Sequence, residues 1–159
     1  MKTLLLGMGN PILCDDAVGV RLACAFKQEL EDIRELEFFE DCSVGGLNLV
    51  DIFRGYDRVV VLDSIHTTGG VPGDWYYFTE DALRETAHLT NLHDANFATA
   101  MELGRTLGMP LPLSKNIHIF AVETKEDRTF SNQMTPELEN AYCRYAPAIL
   151  SEVISLLRA

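Results

Sequence analysis

The sequence predicts an α/β fold, a three-layer αβα sandwich around a twisted, mostly parallel five-stranded sheet with one antiparallel edge strand. The chain has 159 residues, of which 47% are hydrophobic, and this suffices for one domain with a core. Apolar strand patterns alternate with amphipathic helix patterns, as in parallel sheets flanked by helices. The run Val59-Val60-Val61-Leu62 is continuously apolar, as expected of a central strand covered on both faces. We therefore expect residues 1–159 to form a single domain.

Each element has its own signal along the chain. An amphipathic helix over residues 17–30 is indicated by Val18, Leu22, Phe26 and Leu30, which fall on one stripe. The last helix begins at Thr135-Pro136-Glu137, where threonine is a favourable N-cap and proline suits the first turn. Short helices are predicted at 45–53 and 80–85, and a longer one at 94–107 with Asp94 as its N-cap. The predicted strands are residues 2–7, 35–41, 58–65, 74–79 (the edge strand) and 116–122.

Composition excludes several classes of function. The net charge of −11 argues against nucleic acid as a partner, because phosphates demand a basic surface. The sequence contains no apolar run long enough to span a membrane and no signal peptide, so we expect a cytoplasmic protein. The four cysteines lack CxxC spacing and are expected to be free thiols, with Cys24 in the core. No strong apolar surface patch is readable, and a monomer is expected.

Acidic residues follow two of the predicted strands. Asp15 and Asp16 come after the first strand and the turn Gly7-Met8-Gly9, and Asp63 closes the central strand. In an open α/β sheet the carboxyl ends of the strands border the ligand crevice. We expect one of the first two acids, Asp15, to cap the following helix. His93, just before a predicted helix, completes a candidate set with Asp16 and Asp63, whose donors suit zinc, nickel or a similar divalent ion.

Other site chemistries have weaker support. The glycine turn lacks the third glycine of a dinucleotide fingerprint, since Ile12 stands there, and the acids beside it would repel a pyrophosphate. The sequence contains no GxSxG elbow. Cys14 and Cys42 lie in predicted loops without an obvious histidine partner, and His66 is a reserve ligand candidate.

The motifs GMGNPILCDDAVGV and VVVLDSI, with the His93-Asp94 pair, resemble those of a [NiFe]-hydrogenase maturation endopeptidase. The resemblance covers essentially the whole chain. It implies an enzyme, neither a serine nor a cysteine protease, that removes the C-terminal extension of the hydrogenase large-subunit precursor. It also implies that nickel arrives in the substrate as the recognition element, with zinc or cadmium able to replace it in vitro.

The resemblance assigns roles to particular residues. Asp16, Asp63 and His93 match the metal-binding and catalytic positions. Asp41 begins the segment Asp41-Cys42-Ser43-Val44-Gly45-Gly46, which resembles a family loop and implies a substrate-positioning role.

Three alternatives stay open from the sequence. A chaperone could bind the nickel-loaded precursor through the same residues without cutting it. A peptidyl-tRNA hydrolase has a similar Gly-x-Gly-Asn-Pro start, but its catalytic histidine is replaced here by Cys14-Asp15-Asp16. A nucleoside phosphorylase-like enzyme shares the sheet type, but the crevice acids disfavour phosphate.

Overall fold

The predicted three-layer architecture is confirmed by a computed structural model. It describes the backbone of residues 1–85 and 92–159 and the side chains of residues 1–83 and 97–159. The strands are β1 (Thr3–Met8), β2 (Leu36–Cys42), β3 (Arg58–Ile65), β4 (Trp75–Thr79) and β5 (Ile117–Glu123). The helices are α1 (Val18–Leu30), α2 (Asn48–Phe53), α3 (Glu80–Glu85), α4 (Leu92–Thr106) and α5 (Pro136–Arg158).

The sheet has five strands in the order β2-β1-β3-β5-β4. β1 pairs in parallel with both β2 and β3, and β3 pairs in parallel with β5, whereas the edge strand β4 runs antiparallel to β5. The chain thus leaves β1 toward β2 on one side and returns to β3 on the other. The gap between the carboxyl ends of β1 and β3 is therefore the switch point of the topology, where open α/β sheets bind ligands.

Successive side chains of each strand point to opposite faces of the sheet, and this divides the core into two layers. One face of the sheet packs against α1 and α5, through Leu5, Val60, Leu62, Phe120 and Val122. The opposite face packs against α2, α3 and α4, through Leu4, Leu6, Val59, Val61, Ile117 and Ile119. Within the described residues, no helix is long and apolar enough to cross a membrane.

Several predicted boundaries were wrong by one to three residues. A 3₁₀ turn, Cys14–Ala17, precedes α1, so both neighbouring acids lie in this turn. α4 begins at Leu92, which places His93 and Asp94 inside the helix and contradicts the N-cap role predicted for Asp94. Cys24 is exposed on α1, contrary to the expected core position, because the buried stripe runs through Leu22, Ala23 and Phe26.

Candidate metal-binding and peptidase site

Helix α1 approaches the sheet closely enough to set Asp16 over the switch point. Gly19, in the first turn of α1, makes this approach possible. A Cβ atom at position 19 would lie 2.3 Å from the carbonyl oxygens of both Met8 and Leu62, near the ends of β1 and β3. Only glycine permits such contact between two backbones. The 3₁₀ turn that carries Asp16 is thereby fixed between these two strands.

The turn after β1 is shaped around Asp16 as well. Gly9 adopts a φ of +131°, and a Cβ there would lie 2.0 Å from the backbone oxygen of Asp16. The next residue, Asn10, donates its backbone N–H to Asp16 Oδ2 at 2.8 Å. The glycine thus allows the chain to fold back so that the turn itself binds the carboxylate.

Ser64 connects the two candidate carboxylates. Its hydroxyl donates to Asp16 Oδ1 at 2.8 Å, and its backbone N–H donates to Asp63 Oδ1 at 2.7 Å. All three residues are partly buried. Asp16 and Asp63 lie 47 positions apart in the sequence, yet the structure binds both to one residue at the end of β3.

Asp15 has a role different from the one expected from the sequence. It is fully buried and does not cap α1. Its Oδ2 accepts the backbone N–H groups of Lys125 and Glu126, each at 3.0 Å, and the hydroxyl of Thr135 at 2.9 Å. Its Oδ1 accepts the Thr135 N–H at 2.7 Å. Asp15 therefore joins the loop after β5 to the start of α5. Thr135 is the N-cap residue of α5, as predicted, but its hydroxyl donates to Asp15 and makes no capping hydrogen bond to the helix.

Asp41 and Cys42 end β2 beside the crevice. Asp41 is exposed, whereas Cys42 is buried and its thiol donates to the carbonyl oxygen of Val44. Burial raises the pKa of the Cys42 thiol, and the charges of Asp63 and then Asp41 act in the same direction. The substrate-positioning role of Asp41 stays a prediction.

The third predicted ligand, His93, is the second residue of α4, and its side chain lies outside the described residues. Within the described side chains, no group of three or more histidine, cysteine or acidic residues is arranged to hold a metal ion. The described part of the site thus consists of Asp16 and Asp63, joined through Ser64. Two carboxylates can ligate a divalent ion or accept a proton.

Sequence reasoning missed Ser64 and the Asn10 backbone donor. Ser64 directly follows Asp63, so a polar residue after the strand-closing acid was the available signal. The reserve candidate His66 is exposed, and its Nδ1 lies 3.2 Å from the carbonyl oxygen of Thr124. The loop after β3, which carries His66, is also bound to the end of β5, where the fully buried Glu123 accepts the N–H and hydroxyl of Thr67 at 2.6 and 2.8 Å.

Fold and site together define an α/β protein with paired carboxylates at the switch point of its sheet. A model of the hydrogenase maturation protease family matches residues 20–152, and the chain belongs to that family. The family assignment argues against the peptidyl-tRNA hydrolase and phosphorylase alternatives.

Curated relatives and solved structures agree with this assignment. The chain is similar to the hydrogenase 2 maturation protease of Escherichia coli, 33% identical over 75 residues, covering 46% of this chain and 44% of the relative. It is also similar to the hydrogenase expression/formation protein HupD of Thiocapsa roseopersicina, 27% identical over 150 residues, covering 93% and 64%. The chain thus spans less than two thirds of either relative.

The same fold is found in solved maturation proteases. The E. coli hydrogenase maturating endopeptidase HybD has a TM-score of 0.76 at 22% identity, covering 99% of this chain and 93% of that one. The [NiFe] hydrogenase maturation protease HybD of Thermococcus kodakarensis has a TM-score of 0.68 at 18% identity, covering 95% and 98%.

Proposed function

We propose that this protein is an endopeptidase that removes the C-terminal extension from a nickel-loaded [NiFe]-hydrogenase large-subunit precursor. The observation that carries the proposal is the attachment of Asp16 and Asp63 to Ser64 at the switch point of a maturation-protease fold. The family membership supplies the class of reaction. The pair of carboxylates supplies the means of recognising a cation in the substrate.

Nickel enters this proposal as part of the substrate. A carboxylate offers roughly four acceptor sites, and the hydrogen bonds from Asn10 and Ser64 occupy one on each oxygen of Asp16. Each oxygen thus keeps acceptor capacity for a metal ion. We propose that Asp16, Asp63 and His93 bind the precursor's nickel, which places the scissile peptide bond in the crevice.

We propose that water, not a cysteine, attacks the peptide bond. Cys14, in the turn that carries Asp16, and Cys42, at the end of β2, are both buried, and burial raises the pKa of each thiol. The thiolate is the nucleophilic form, so a raised pKa disfavours it. A carboxylate of the crevice would accept the proton of the attacking water, and nickel would polarise the water or the carbonyl.

Exposed apolar side chains at the same edge of the sheet suit a polypeptide substrate. Ile12 is 54% exposed and Phe130 is 78% exposed. Their segments are neighbours, because the Ser131 N–H donates to the Ile12 carbonyl at 2.9 Å and the Cys14 N–H donates to the Ser131 carbonyl at 3.1 Å. Val44 and Leu47, in the segment after β2, are also exposed. We refer to Ile12, Val44, Leu47 and Phe130 as the apolar rim.

The state of the cysteines supports a proposal for the cellular compartment. All four cysteines are free, and Cys24 and Cys143 are exposed, which suits a reducing compartment. We propose that the protein acts in the cytoplasm as a monomer that meets its precursor transiently.

The test is cleavage of a purified large-subunit precursor, prepared with and without nickel and followed by mass spectrometry. Release of a C-terminal peptide from the nickel-loaded form alone would support the proposal. Formation of a stable complex without release would instead identify a chaperone. Equal cleavage of both forms would contradict nickel recognition.

A further inference from the structure

Ser64 contacts both carboxylates of the site. Its side-chain oxygen and its backbone nitrogen donate in two directions, to Asp16 Oδ1 at 2.8 Å and to Asp63 Oδ1 at 2.7 Å. Successive residues of a strand point to opposite faces, so Ser64 and Asp63 diverge from β3. The Ser64 hydroxyl therefore reaches the turn before α1, while Asp63 is held against the backbone of its own strand.

The contacts of Asp16 determine how its carboxylate is presented. Asn10 N–H holds Oδ2 at 2.8 Å, and the Ser64 hydroxyl holds Oδ1. With a donor on each oxygen, rotation of the carboxylate plane would break both hydrogen bonds. Only the acceptor sites that these donors leave open can then face a ligand.

The backbone N–H donors are present whichever side chains stand at these positions, whereas the hydroxyl donor exists only because residue 64 is a serine. The Ser64 backbone belongs to a central strand and is paired in register with Val122 of β5. Changing the side chain therefore leaves the strand and the contact to Asp63 intact. The hydrogen bond from the Ser64 hydroxyl to Asp16 can therefore be removed by mutation without removing the backbone contact to Asp63.

We propose that Ser64 is a positioning residue that orients Asp16 toward the substrate's nickel and sets its spacing from Asp63. The inference rests on the proposed function, since it concerns the same nickel-recognition site. Residues that orient metal ligands through hydrogen bonds change metal affinity by about 10- to 100-fold when they are replaced. Ser64 acts through Asp16 and does not itself contact the reacting atoms.

The experiment compares wild type with Ser64→Ala, which removes the hydroxyl, and Ser64→Thr, which retains it. Ser155→Ala is the matched control, since its hydroxyl donates at 3.0 Å to the Ser151 carbonyl on the exposed surface of α5. Nickel alone is titrated into each protein by calorimetry. Unfolding in urea and the kcat and KM for nickel-loaded precursor are measured in parallel.

We expect Ser64→Ala to bind nickel about 10-fold or more weakly and to cleave with a lower kcat, without a matching loss of stability. Ser64→Thr should recover most of both losses, and Ser155→Ala should match wild type. Unchanged nickel affinity and kcat in Ser64→Ala would overturn the inference and leave the peptidase proposal standing. Wild-type cleavage without nickel binding would have the same consequence, whereas absence of wild-type cleavage would overturn both.

Discussion

Asp15 accepts both the backbone N–H and the hydroxyl of Thr135, at 2.7 and 2.9 Å, and thereby fastens the start of α5 to the turn before α1. The next residue, Asp16, is partly buried and accepts hydrogen bonds from Asn10 and Ser64 in the crevice. Two adjacent acids thus have separate tasks, one structural and one proposed to be functional. The same substitution at these two adjacent positions, Asp15→Asn and Asp16→Asn, should therefore have different effects.

Asp15→Asn should destabilise the fold strongly. An asparagine amide would place N–H groups against the N–H groups of Lys125, Glu126 or Thr135, at a fully buried position. Loss of hydrogen bonds to a buried carboxylate predicts a fall of about 3 kcal/mol in the free energy of unfolding. Urea denaturation measures this change. A loss below about 1 kcal/mol would contradict the structural role.

Asp16→Asn should abolish precursor cleavage while lowering the free energy of unfolding by only about 1 kcal/mol. Its oxygen can still accept from one neighbour, but a neutral amide is a poor ligand for a divalent ion. Cleavage is followed by mass spectrometry of the released peptide, and Asp15→Asn, assayed where it remains folded, is the control. Cleavage by Asp16→Asn at the wild-type rate would refute the assignment.

Replacing the buried cysteines should leave the reaction intact. Cys14→Ala and Cys42→Ala remove thiols whose raised pKa keeps them protonated, so no nucleophile is lost. Both side chains are buried, and a modest loss of stability is expected. The measurement is kcat for nickel-loaded precursor at a temperature well below unfolding. A fall of about 1,000-fold in either variant would identify a cysteine nucleophile.

Shortening the apolar rim should weaken substrate binding more than it affects the fold. Ile12→Ser and Phe130→Ser should raise KM several-fold, because each removes apolar surface that substrate binding would bury, at roughly 25 cal/mol per Å². Leu107→Ser is the control, since Leu107 is 69% exposed and directly follows α4, in the segment whose Pro110 carbonyl accepts the Gly55 N–H before β3. Equal KM values for the rim variants and the control would exclude the rim as a docking surface.

His118 should make stability sensitive to mild acid. It is buried on β5, and burial followed by the charge of Arg58 lowers its pKa to about 4. The hydroxyl of Tyr77 lies 2.9 Å from its Nδ1. The unfolded histidine titrates near its ordinary pKa of 6.5, so the unfolded state binds more protons between these two values.

The His118 contribution is therefore complete above about pH 6.5 and is lost progressively as the pH falls toward about 4. His118→Gln should remove this part of the pH dependence. Urea unfolding of both proteins across this range gives the difference in their free energies of unfolding. The contributions of the carboxylates, which both proteins contain, cancel in this difference. If the difference in free energy of unfolding between wild type and His118→Gln stays constant with pH, His118 is not buried in its neutral form.

The layers and the order of elements along the chain were predictable because periodicity reports which faces are buried. Asp16 and Asp63 could be placed at the same sheet edge because they come at or after the carboxyl ends of strands predicted to be parallel. Asp15 was expected to cap α1, and its actual role could not be predicted, since its partners lie 110 to 120 residues away, in segments that only the folded chain brings near. The prediction that Cys24 lies in the core was wrong because adjacent residues of an amphipathic helix can differ in burial: Ala23 is buried and Cys24 is exposed.

Ser64 and the boundaries of α4 illustrate the same limit. A serine near the end of a strand has no periodic signature, and its contact with Asp16 arises from the approach of α1 at Gly19. The start of α4 at Leu92 was missed because an aspartate at position 94 is a favourable N-cap in isolation. His93 as the third ligand stays a prediction.

Calorimetric titration of nickel into wild type, Asp16→Asn, Asp63→Asn and His93→Ala examines the proposed nickel site without relying on catalysis. We predict one saturable site in wild type and its loss in each variant, although the three residues are distant in the sequence. Nickel binding of wild-type strength in Asp16→Asn or Asp63→Asn would contradict this prediction, because the crevice at the end of β1 and β3 would then not be the nickel site.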